Sequence, residues 1–243
     1  MPDPVAPPGS ASSTSTPTTR AAGFAGLLTA EVIFGATLFV LAFALFFYLT
    51  RVVFREHSQV FDNWGFARMD QLRATQPWTY AAVTGLTFFG SIWFFVPASL
   101  LTPLVLHRRG LTRYAIELMV SMGGGFAMNQ LLKLFFHRPR PSSALISQLG
   151  LSFPSGHSMM SMAFYGCLAW LAVQHGRHWG WATALVSFAL AIGLTRVYLH
   201  VHYPTDVVAG FAAGTIWLVL LRTGIRVFWQ EKKVAGAAPT VSE

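Results

Sequence analysis

The chain has 243 residues, of which 53% are apolar and 11% are charged. A soluble domain carries about 25% charged residues, so this composition excludes an ordinary soluble protein and indicates a membrane protein. The mean hydropathy of +0.50 agrees with that interpretation. The formal net charge of +8 does not indicate a nucleic-acid binder, because the basic residues lie between apolar runs and form no cluster on a soluble segment. The single cysteine, Cys167, excludes an intrachain disulfide.

The two ends of the chain differ from its centre. Residues 1–21 are rich in Ser, Thr, Pro and Ala. Such a segment buries too little apolar surface to offset its ordering entropy, so we predict a disordered N-terminal tail. It does not resemble a signal peptide, because no short apolar core follows a charged start. We predict a membrane domain over residues 22–228 and a cytoplasmic C-terminal tail over residues 229–243.

Six apolar runs follow the tail, each close to the ~20 residues that a helix needs to cross a bilayer. They predict an all-α polytopic membrane protein with six transmembrane helices, at about 27–50, 81–106, 114–136, 157–174, 181–200 and 205–228. A polar loop, residues 51–79, separates the first two runs and mixes charged with aromatic side chains. That mixture fits a segment at the membrane interface, and it also fits an ordinary extramembrane loop.

Several residues inside these runs are functional candidates that we interpret as packing features. The glycines at 123–125, and the Gly-x-x-x-Gly spacing of Gly210 and Gly214, allow close approach of helices. Glu117 is an intramembrane carboxylate, which is a functional candidate by default. We disfavour a catalytic role for it because it lies about four helical turns from Lys133.

The loop charges predict the orientation of the six helices. The loop at residues 107–113 has three arginines and no acid, Arg177 lies between the fourth and fifth runs, and basic residues follow the sixth. If the helices alternate in direction, these places share one face, which the positive-inside rule makes cytoplasmic. Both termini are then predicted to be cytoplasmic, with the loop at residues 51–79 outside.

Three polar clusters stand out between the third and sixth runs. They are Lys133-x6-Arg140-Pro141, Pro154-Ser155-Gly156-His157 and Thr195-Arg196-x5-His202-x3-Asp206. Because consecutive helices alternate in direction, the four helix ends that carry these clusters lie on the same, outer membrane surface. We therefore predict that the three clusters form one site.

The cations of this site suit a phosphate. Lys133, Arg140 and Arg196 would repel one another without a shared anion, and a phosphate accepts bidentate arginine bonds as well as a lysine point charge. A helix beginning near Ser155 turns free amides towards the anion, and Gly156 lets the backbone approach it closely.

The histidines suit transfer of that phosphate. His202 and Asp206 are four residues apart across a helix start, so the carboxylate can accept Nδ1–H and leave Nε2 free as a nucleophile. His157, from another helix, can protonate the leaving oxygen and then activate the water that hydrolyses the phosphohistidine. The cations stabilise the transition state, so no metal or other cofactor is required. His137 and His200 are interpreted as structural, although His200 is close enough to line the site.

Taken together, the clusters resemble the signature of the type 2 phosphatidic acid phosphatase family, which is shared with the soluble vanadium haloperoxidases. The family pattern is Lys-x6-Arg-Pro, Pro-Ser-Gly-His and Ser-Arg-x5-His-x3-Asp; here Thr195 replaces the serine and keeps a hydroxyl. The resemblance covers roughly residues 60–220. It implies six helices and an outward-facing site, with His202 as nucleophile, Asp206 orienting it and His157 as acid and base. It also implies that the phosphoryl group is bound by Lys133, Arg140, Ser155, Gly156 and Arg196.

We therefore expect an integral membrane lipid phosphatase. The resemblance offers undecaprenyl diphosphate, phosphatidylglycerophosphate and phosphatidic acid as substrates. Short six-helix members of this kind are bacterial, so the resemblance implies the bacterial plasma membrane and raises the first two substrates. The sequence does not select among the three. One alternative is a phosphotransferase that passes the phosphoryl group to a lipid or sugar hydroxyl. Another is a non-enzymatic lipid-phosphate carrier, which is disfavoured because binding alone requires no polarised histidine pair. The expected partners are the lipid substrate and the bilayer, with no nucleic acid; the oligomeric state stays open.

Overall fold

The structure is a computed structural model that describes residues 17–176 and 178–235. Across these residues the secondary structure is helical, and most of the predicted N-terminal tail lies outside them. The helices are α1 (Pro17–Phe54), α2 (Val60–Thr75), α3 (Thr79–Thr87), α4 (Ile92–Arg108), α5 (Thr112–Phe136), α6 (Gly156–Ser161), α7 (Cys167–Gln174), α8 (Trp179–Tyr198) and α9 (Pro204–Ala235). Two compact units divide at Thr37 and Leu38, and the site described below lies in the second.

Three helical stretches among the described residues are long and apolar enough to cross a bilayer. They are Glu31–Phe54 of α1, the whole of α8, and Pro204–Arg226 of α9. A fourth is formed by Thr79–Gly90 and Ile92–Arg108 if these two pieces, bent by 46°, count as one broken span. The chain is therefore an all-helical membrane protein with three or four spans by this criterion, whereas the sequence predicts six.

The predicted second span is not one continuous helix. A 3-10 turn, Phe88–Gly90, ends α3, and Ser91 then adopts an extended conformation. The Ser91 hydroxyl accepts a hydrogen bond from the backbone N–H of Phe94 and so caps a new helix, α4. Serine is favoured at such a position because its side chain satisfies an amide that has no partner within the helix. The sequence of the predicted span, residues 81–106, is apolar on both sides of Ser91, so its hydropathy does not indicate this break.

The predicted fourth span is also interrupted, although its ends agree with the sequence. It starts as α6, passes through a π-helical turn at Met162–Gly166 and continues as α7. Ser155 caps α6, since its hydroxyl accepts from the backbone N–H of Ser158 at 3.5 Å. A π-turn inserts one extra residue into a helix and is common near functional sites. The first turn of this segment carries the second polar cluster.

Glycines on α9 allow close contact with α6, which confirms the packing interpretation of the Gly-x-x-x-Gly spacing. A Cβ atom on Gly210 would lie 2.6 Å from the Ser155 carbonyl oxygen, and one on Gly214 would lie 3.0 Å from the Met159 carbonyl oxygen. The first distance is too short for a side chain, and the second is tighter than an ordinary van der Waals contact. The two glycines therefore set how closely the start of α6 approaches α9.

Glu117 has a structural partner in the helix bundle. It is buried in α5 and its Oε1 accepts a hydrogen bond of 2.7 Å from Arg222 of α9. The Arg222 guanidinium also lies 4.9 Å from the ring centroid of Trp170. A carboxylate among apolar helices is costly unless it is paired, so this ion pair accounts for Glu117 as a link between α5 and α9.

Half of the predicted polar loop at residues 51–79 is the helix α2. One side of α2 packs against the start of α9, where a Cβ atom on Gly65 would lie 2.5 Å from Pro204 Cγ. Phe61 and Trp64 of the same helix are exposed. The middle of the loop is thus an ordered helix that packs on the start of α9 and leaves two aromatic side chains exposed.

Candidate active site

The structure brings the three polar clusters together. Arg140 of the first cluster donates from Nη1 to His202 Nε2 of the third at 3.0 Å. Ser155 of the second cluster donates its backbone N–H to the Asp206 carbonyl oxygen at 2.9 Å. A Cβ atom on Gly156 would lie 4.0 Å from Lys133 Cε. The end of α5 with its following loop, the start of α6, the turn after α8 and the start of α9 therefore form one site.

His202 and Asp206 face each other across the start of α9. His202 Nδ1 lies 3.5 Å from Asp206 Oδ2, and both side chains are almost fully buried. That distance is long for a direct hydrogen bond. The Ser152 hydroxyl bridges the gap, because it lies 3.3 Å from His202 Nδ1 and donates to Asp206 Oδ2. The carboxylate therefore lies beside Nδ1 as predicted, but the hydrogen-bonded path between them runs through a serine that the sequence did not indicate.

Burial controls the protonation of His202. The residue lies in the turn between α8 and α9, and desolvation lowers its pKa to about 4, although the hydrogen bond and charge of Asp206 act in the opposite direction. Because this value is far below 7, the imidazole is neutral at physiological pH. With Nδ1 facing Asp206, the lone pair is on Nε2, which is the atom that Arg140 contacts. A neutral, oriented imidazole is a competent nucleophile.

The three predicted phosphate cations all contact one short loop segment, residues 148–151. Lys133 Nζ donates to a main-chain carbonyl of this segment at 2.5 Å, and the Arg140 guanidinium donates to two others at 3.0 and 3.2 Å. Arg196 donates to the side-chain oxygen of Gln148. Each cation thus donates hydrogen bonds to an oxygen of the loop. These are N–H groups that could donate to a phosphate instead.

Arg196 is the most deeply buried of these cations, with 1% of its surface exposed. Besides Gln148 it contacts Thr87, whose hydroxyl accepts from Nη1 at 2.6 Å. Its Nε has no hydrogen-bond partner in the part of the chain that the structure describes. A buried guanidinium N–H without an acceptor is costly, so Arg196 retains a donor for a further oxygen.

His157 approaches the site from the first turn of α6. A Cβ atom on Gly90 would lie 2.8 Å from His157 Cδ2, so the glycine makes room for the ring. The charges of Arg196, Arg140 and Lys133 all act on this imidazole. The second histidine therefore faces the same cation cluster as His202, as the sequence predicts.

The two histidines that the sequence analysis interprets as structural, His137 and His200, have other surroundings. His137 ends α5 in a left-handed conformation and is exposed. His200 is buried, with Nδ1 3.0 Å from the Ser143 hydroxyl and Nε2 3.1 Å from Asp70 Oδ1. These contacts tie α2 to the loop after α5, which agrees with the structural interpretation of His200.

Three buried polar side chains at the site escaped the sequence analysis: Asp62, Arg138 and Ser152. Arg138 donates to both Asp206 and Asp62. None of the three carries a local signal, since a serine, an arginine or an aspartate in a polar segment is ordinarily solvated. Among the described residues there is no group of three or more His, Cys, Asp or Glu side chains arranged to hold a metal ion.

Comparison with known proteins agrees with this all-helical membrane fold and its cation–histidine site. The profile of the PAP2 superfamily matches residues 114–229. Phosphatidylglycerophosphatase B of Bacillus subtilis is 31% identical over 153 residues, which cover 60% of this chain and 75% of that protein. A lipid A 1-phosphatase of Rhizobium johnstonii is 41% identical over 70 residues, which cover 29% of this chain and 26% of that protein.

A solved structure extends the comparison to the fold. The crystal structure of a transmembrane PAP2-type phosphatidylglycerolphosphate phosphatase from Bacillus subtilis superposes with a TM-score of 0.70 at 27% identity, covering 78% of this chain and 96% of that one. The chain belongs to the PAP2 superfamily. It is an integral membrane protein and a phosphatase of that superfamily.

Proposed function

We propose that this protein hydrolyses a lipid phosphate or diphosphate through a phosphohistidine on His202. The observation that supports it most directly is the placement of Arg140 at His202 Nε2, with Asp206 on the Nδ1 side of the same ring. A phosphoryl group bound by Arg140 would lie next to the nucleophilic nitrogen. The relatives named phosphatidylglycerophosphatase B and lipid A 1-phosphatase support a lipid substrate.

Substrate binding exchanges one set of oxygen acceptors for another. Lys133, Arg140 and Arg196 release their acceptors in residues 148–151 and donate to the phosphate oxygens. Arginine forms paired bonds to phosphate, whereas lysine contributes a point charge. The backbone at Ser155 and Gly156 borders the same space and supplies amides at the start of α6. The phosphate is then held beside both histidines.

The first chemical step forms the phosphohistidine. His202 Nε2 attacks phosphorus in line as the bond to the lipid oxygen breaks. His157, protonated once the negative charge of the bound phosphate offsets the surrounding cations, gives its proton to that oxygen. The Nδ1 proton stays on the ring, where Asp206 stabilises the positive charge that develops on the imidazole. The three cations stabilise the negative charge on the non-bridging oxygens of the transferring group.

The second step regenerates the enzyme. His157, now neutral, takes a proton from water, and the water oxygen attacks phosphorus. The phosphorus–nitrogen bond breaks, inorganic phosphate leaves, and His202 returns to the neutral form. These side chains supply the required charges and protons, so the proposed cycle uses no metal.

We also propose the six-span topology that the sequence predicts, with tails at residues 1–21 and 229–243. Three spans are long and apolar enough by themselves, and the bent pair of α3 and α4 is taken as a fourth. Helix α5 and the interrupted segment of α6 and α7 supply the other two. The positive-inside rule then places the termini and the arginine-rich loop at residues 107–113 in the cytoplasm of a bacterial cell. The site opens on the extracytoplasmic face of the plasma membrane, where a lipid phosphate can enter while its chains stay in the bilayer.

Phosphate release by the purified protein tests this function. The substrates are phosphatidylglycerophosphate, undecaprenyl diphosphate, phosphatidic acid and a soluble phosphomonoester. Phosphatidylglycerophosphate is tested first, because this chain matches phosphatidylglycerophosphatase B over 75% of that protein's length. We expect His202→Ala to abolish release, and His107→Ala, an exposed histidine outside the site, to retain it. Vanadate should inhibit and EDTA should not. Full activity of folded His202→Ala would refute the proposed nucleophile, and lipid consumed with a new phosphorylated acceptor would indicate a phosphotransferase.

A further inference from the structure

The Arg138 guanidinium bridges two carboxylates beside the site. Its Nη1 donates to Asp206 Oδ1 at 2.5 Å, and its Nη2 donates to Asp62 Oδ2 at 2.8 Å. Asp62 is 1% exposed and Asp206 is 0% exposed, so both acids depend on protein donors. Asp62 belongs to α2 and is distant in sequence from the three polar clusters. Its contact with Arg138 brings α2 to the site as well.

We propose that Arg138 is a positioning residue for the phosphatase reaction and that Asp62 holds it in place. Arg138 fixes the Asp206 carboxylate from the side opposite His202, and so fixes the orientation of the imidazole. This inference rests on the proposed function, because it assigns Arg138 to the same reaction.

The two oxygens of Asp206 explain why this support is needed. Oδ2 faces His202 Nδ1 and accepts from the Ser152 hydroxyl and the backbone N–H of Tyr203. Oδ1 accepts from Arg138. Without that donor a buried carboxylate oxygen would lose its partner, which is strongly unfavourable. The carboxylate would then be free to turn about its Cβ–Cγ bond towards other donors, and its alignment with His202 would be lost.

Arg138 differs in position from the phosphate cations although it is only two residues from Arg140. Arg140 contacts His202 at Nε2, where phosphorus must approach, whereas Arg138 contacts the carboxylate on the Nδ1 side. The Tyr203 ring also covers the Arg138 guanidinium, with 3.9 Å between the guanidinium carbon and the ring centroid. Arg138 is therefore placed to act on the substrate only through Asp206.

Asp62 completes the arrangement in two ways. The negative charge of Asp62 offsets the positive charge of Arg138. Arg138 therefore does not fully neutralise Asp206, which can still stabilise the imidazolium that forms on His202. Asp62 Oδ1 also accepts from the backbone N–H of Thr205 at 2.8 Å, within the first turn of α9. An acid at this position satisfies a free amide and interacts favourably with the helix dipole. The same side chain thus fixes both Arg138 and the turn that carries Asp206.

Steady-state kinetics with phosphatidylglycerophosphate separates positioning from phosphate binding. We expect Arg138→Ala to lower kcat about 10- to 100-fold, the loss typical of removing a partner that orients an active group, with little change in KM. Arg138→Lys should recover part of kcat, because one ammonium can reach Asp206 but cannot bridge both acids. Asp62→Asn should lower kcat less than Arg138→Ala. A normal kcat for Arg138→Ala, or a loss confined to KM, would overturn the proposal.

Arg73→Ala is the matched control for loss of an α2 anchor. Arg73 also ties α2 to the bundle, since its Nη1 donates to the Tyr198 carbonyl oxygen at 3.0 Å, but it makes no contact with Asp206. We expect its kcat to stay within about twofold of the wild type, a change too small to indicate a lost interaction. An equal loss of kcat in Arg73→Ala and Arg138→Ala would show that Arg138 only anchors the helix.

A double-mutant cycle with Asp206→Asn tests whether Arg138 acts through that residue. If it does, adding Arg138→Ala to Asp206→Asn should cause little further loss, because residues that act as a unit are not additive. Fully additive losses would overturn the proposal. If Arg138→Ala does not fold, the folded Arg138→Lys variant replaces it, and a wild-type kcat there is the contrary result. Wild-type activity that persists in His202→Ala would instead contradict the proposed function.

Discussion

Substituting Gly210 by alanine should push α6 away from α9 next to the candidate active site. The added Cβ would lie 2.6 Å from the Ser155 carbonyl oxygen and 2.9 Å from Ser158 Cβ, so α6 and α9 must separate. Overpacking of this kind costs about 1–3 kcal/mol. The loss of glycine from a helix returns about 0.5–1 kcal/mol. The net expectation is destabilisation by about 0.5–2 kcal/mol, with lower activity because Ser155 donates to the Asp206 carbonyl oxygen.

Gly224 provides a matched control on the same helix. A Cβ atom there would have no neighbour within 4 Å, so Gly224→Ala gains helix propensity without strain. The two variants should differ by about 1–3 kcal/mol in the free energy of unfolding, at roughly 2–4 °C in Tm per kcal/mol. Thermal unfolding in detergent and kcat/KM for phosphate release measure both effects. Equal Tm and equal activity in the two alanine variants would refute the packing argument.

Two further predictions concern His202 and the loop at residues 148–151. Because the pKa of folded His202 is about 4 and that of an unfolded histidine is about 6.5, its contribution to stability is fully present above pH 6.5 and is lost as the pH falls towards 4. Between pH 7 and pH 5 the free energy of unfolding should therefore fall by about 2 kcal/mol less in His202→Asn than in the wild type. Tm measured at both pH values checks this. An equal fall in both proteins would contradict the burial argument. Gln148→Ala removes the side-chain acceptor of Arg196, so phosphate and vanadate should inhibit about 2- to 10-fold more tightly, the gain from one fewer competing hydrogen bond. Unchanged or weaker inhibition would show that Gln148 does not compete with the anion.

The class of the protein and the convergence of its site could be predicted from local patterns. The four-residue spacing of His202 and Asp206 places them on the two sides of a helix start, where a carboxylate in the first turn can reach back to the imidazole. Alternating helix direction predicts that the three clusters meet, and the structure brings them into contact. The meeting of the clusters could be predicted because residue spacing and helix direction can be inferred from the sequence before the packing of the helices is known.

The two arginines of the first cluster show where such reasoning stops. Arg138 and Arg140 are separated by one proline, and the motif identifies only Arg140. Which of them meets His202 and which meets Asp206 depends on the path of a loop between α5 and α6. A loop path is determined by the helices that it packs against, so no spacing rule distinguishes the two side chains.

The sequence by itself determined that this chain is a helical membrane protein, because hydropathy and charge act along the chain. It also determined which ends of the helices carry the polar clusters, because these motifs lie at the ends of apolar runs. Only the tertiary structure decided that Asp62 supports Asp206 through Arg138 and that Ser152 bridges Asp206 to His202. It also decided that the phosphate cations contact residues 148–151. Those contacts join distant segments, and their energy comes from burial and hydrogen-bond satisfaction that exist only once the helices have packed.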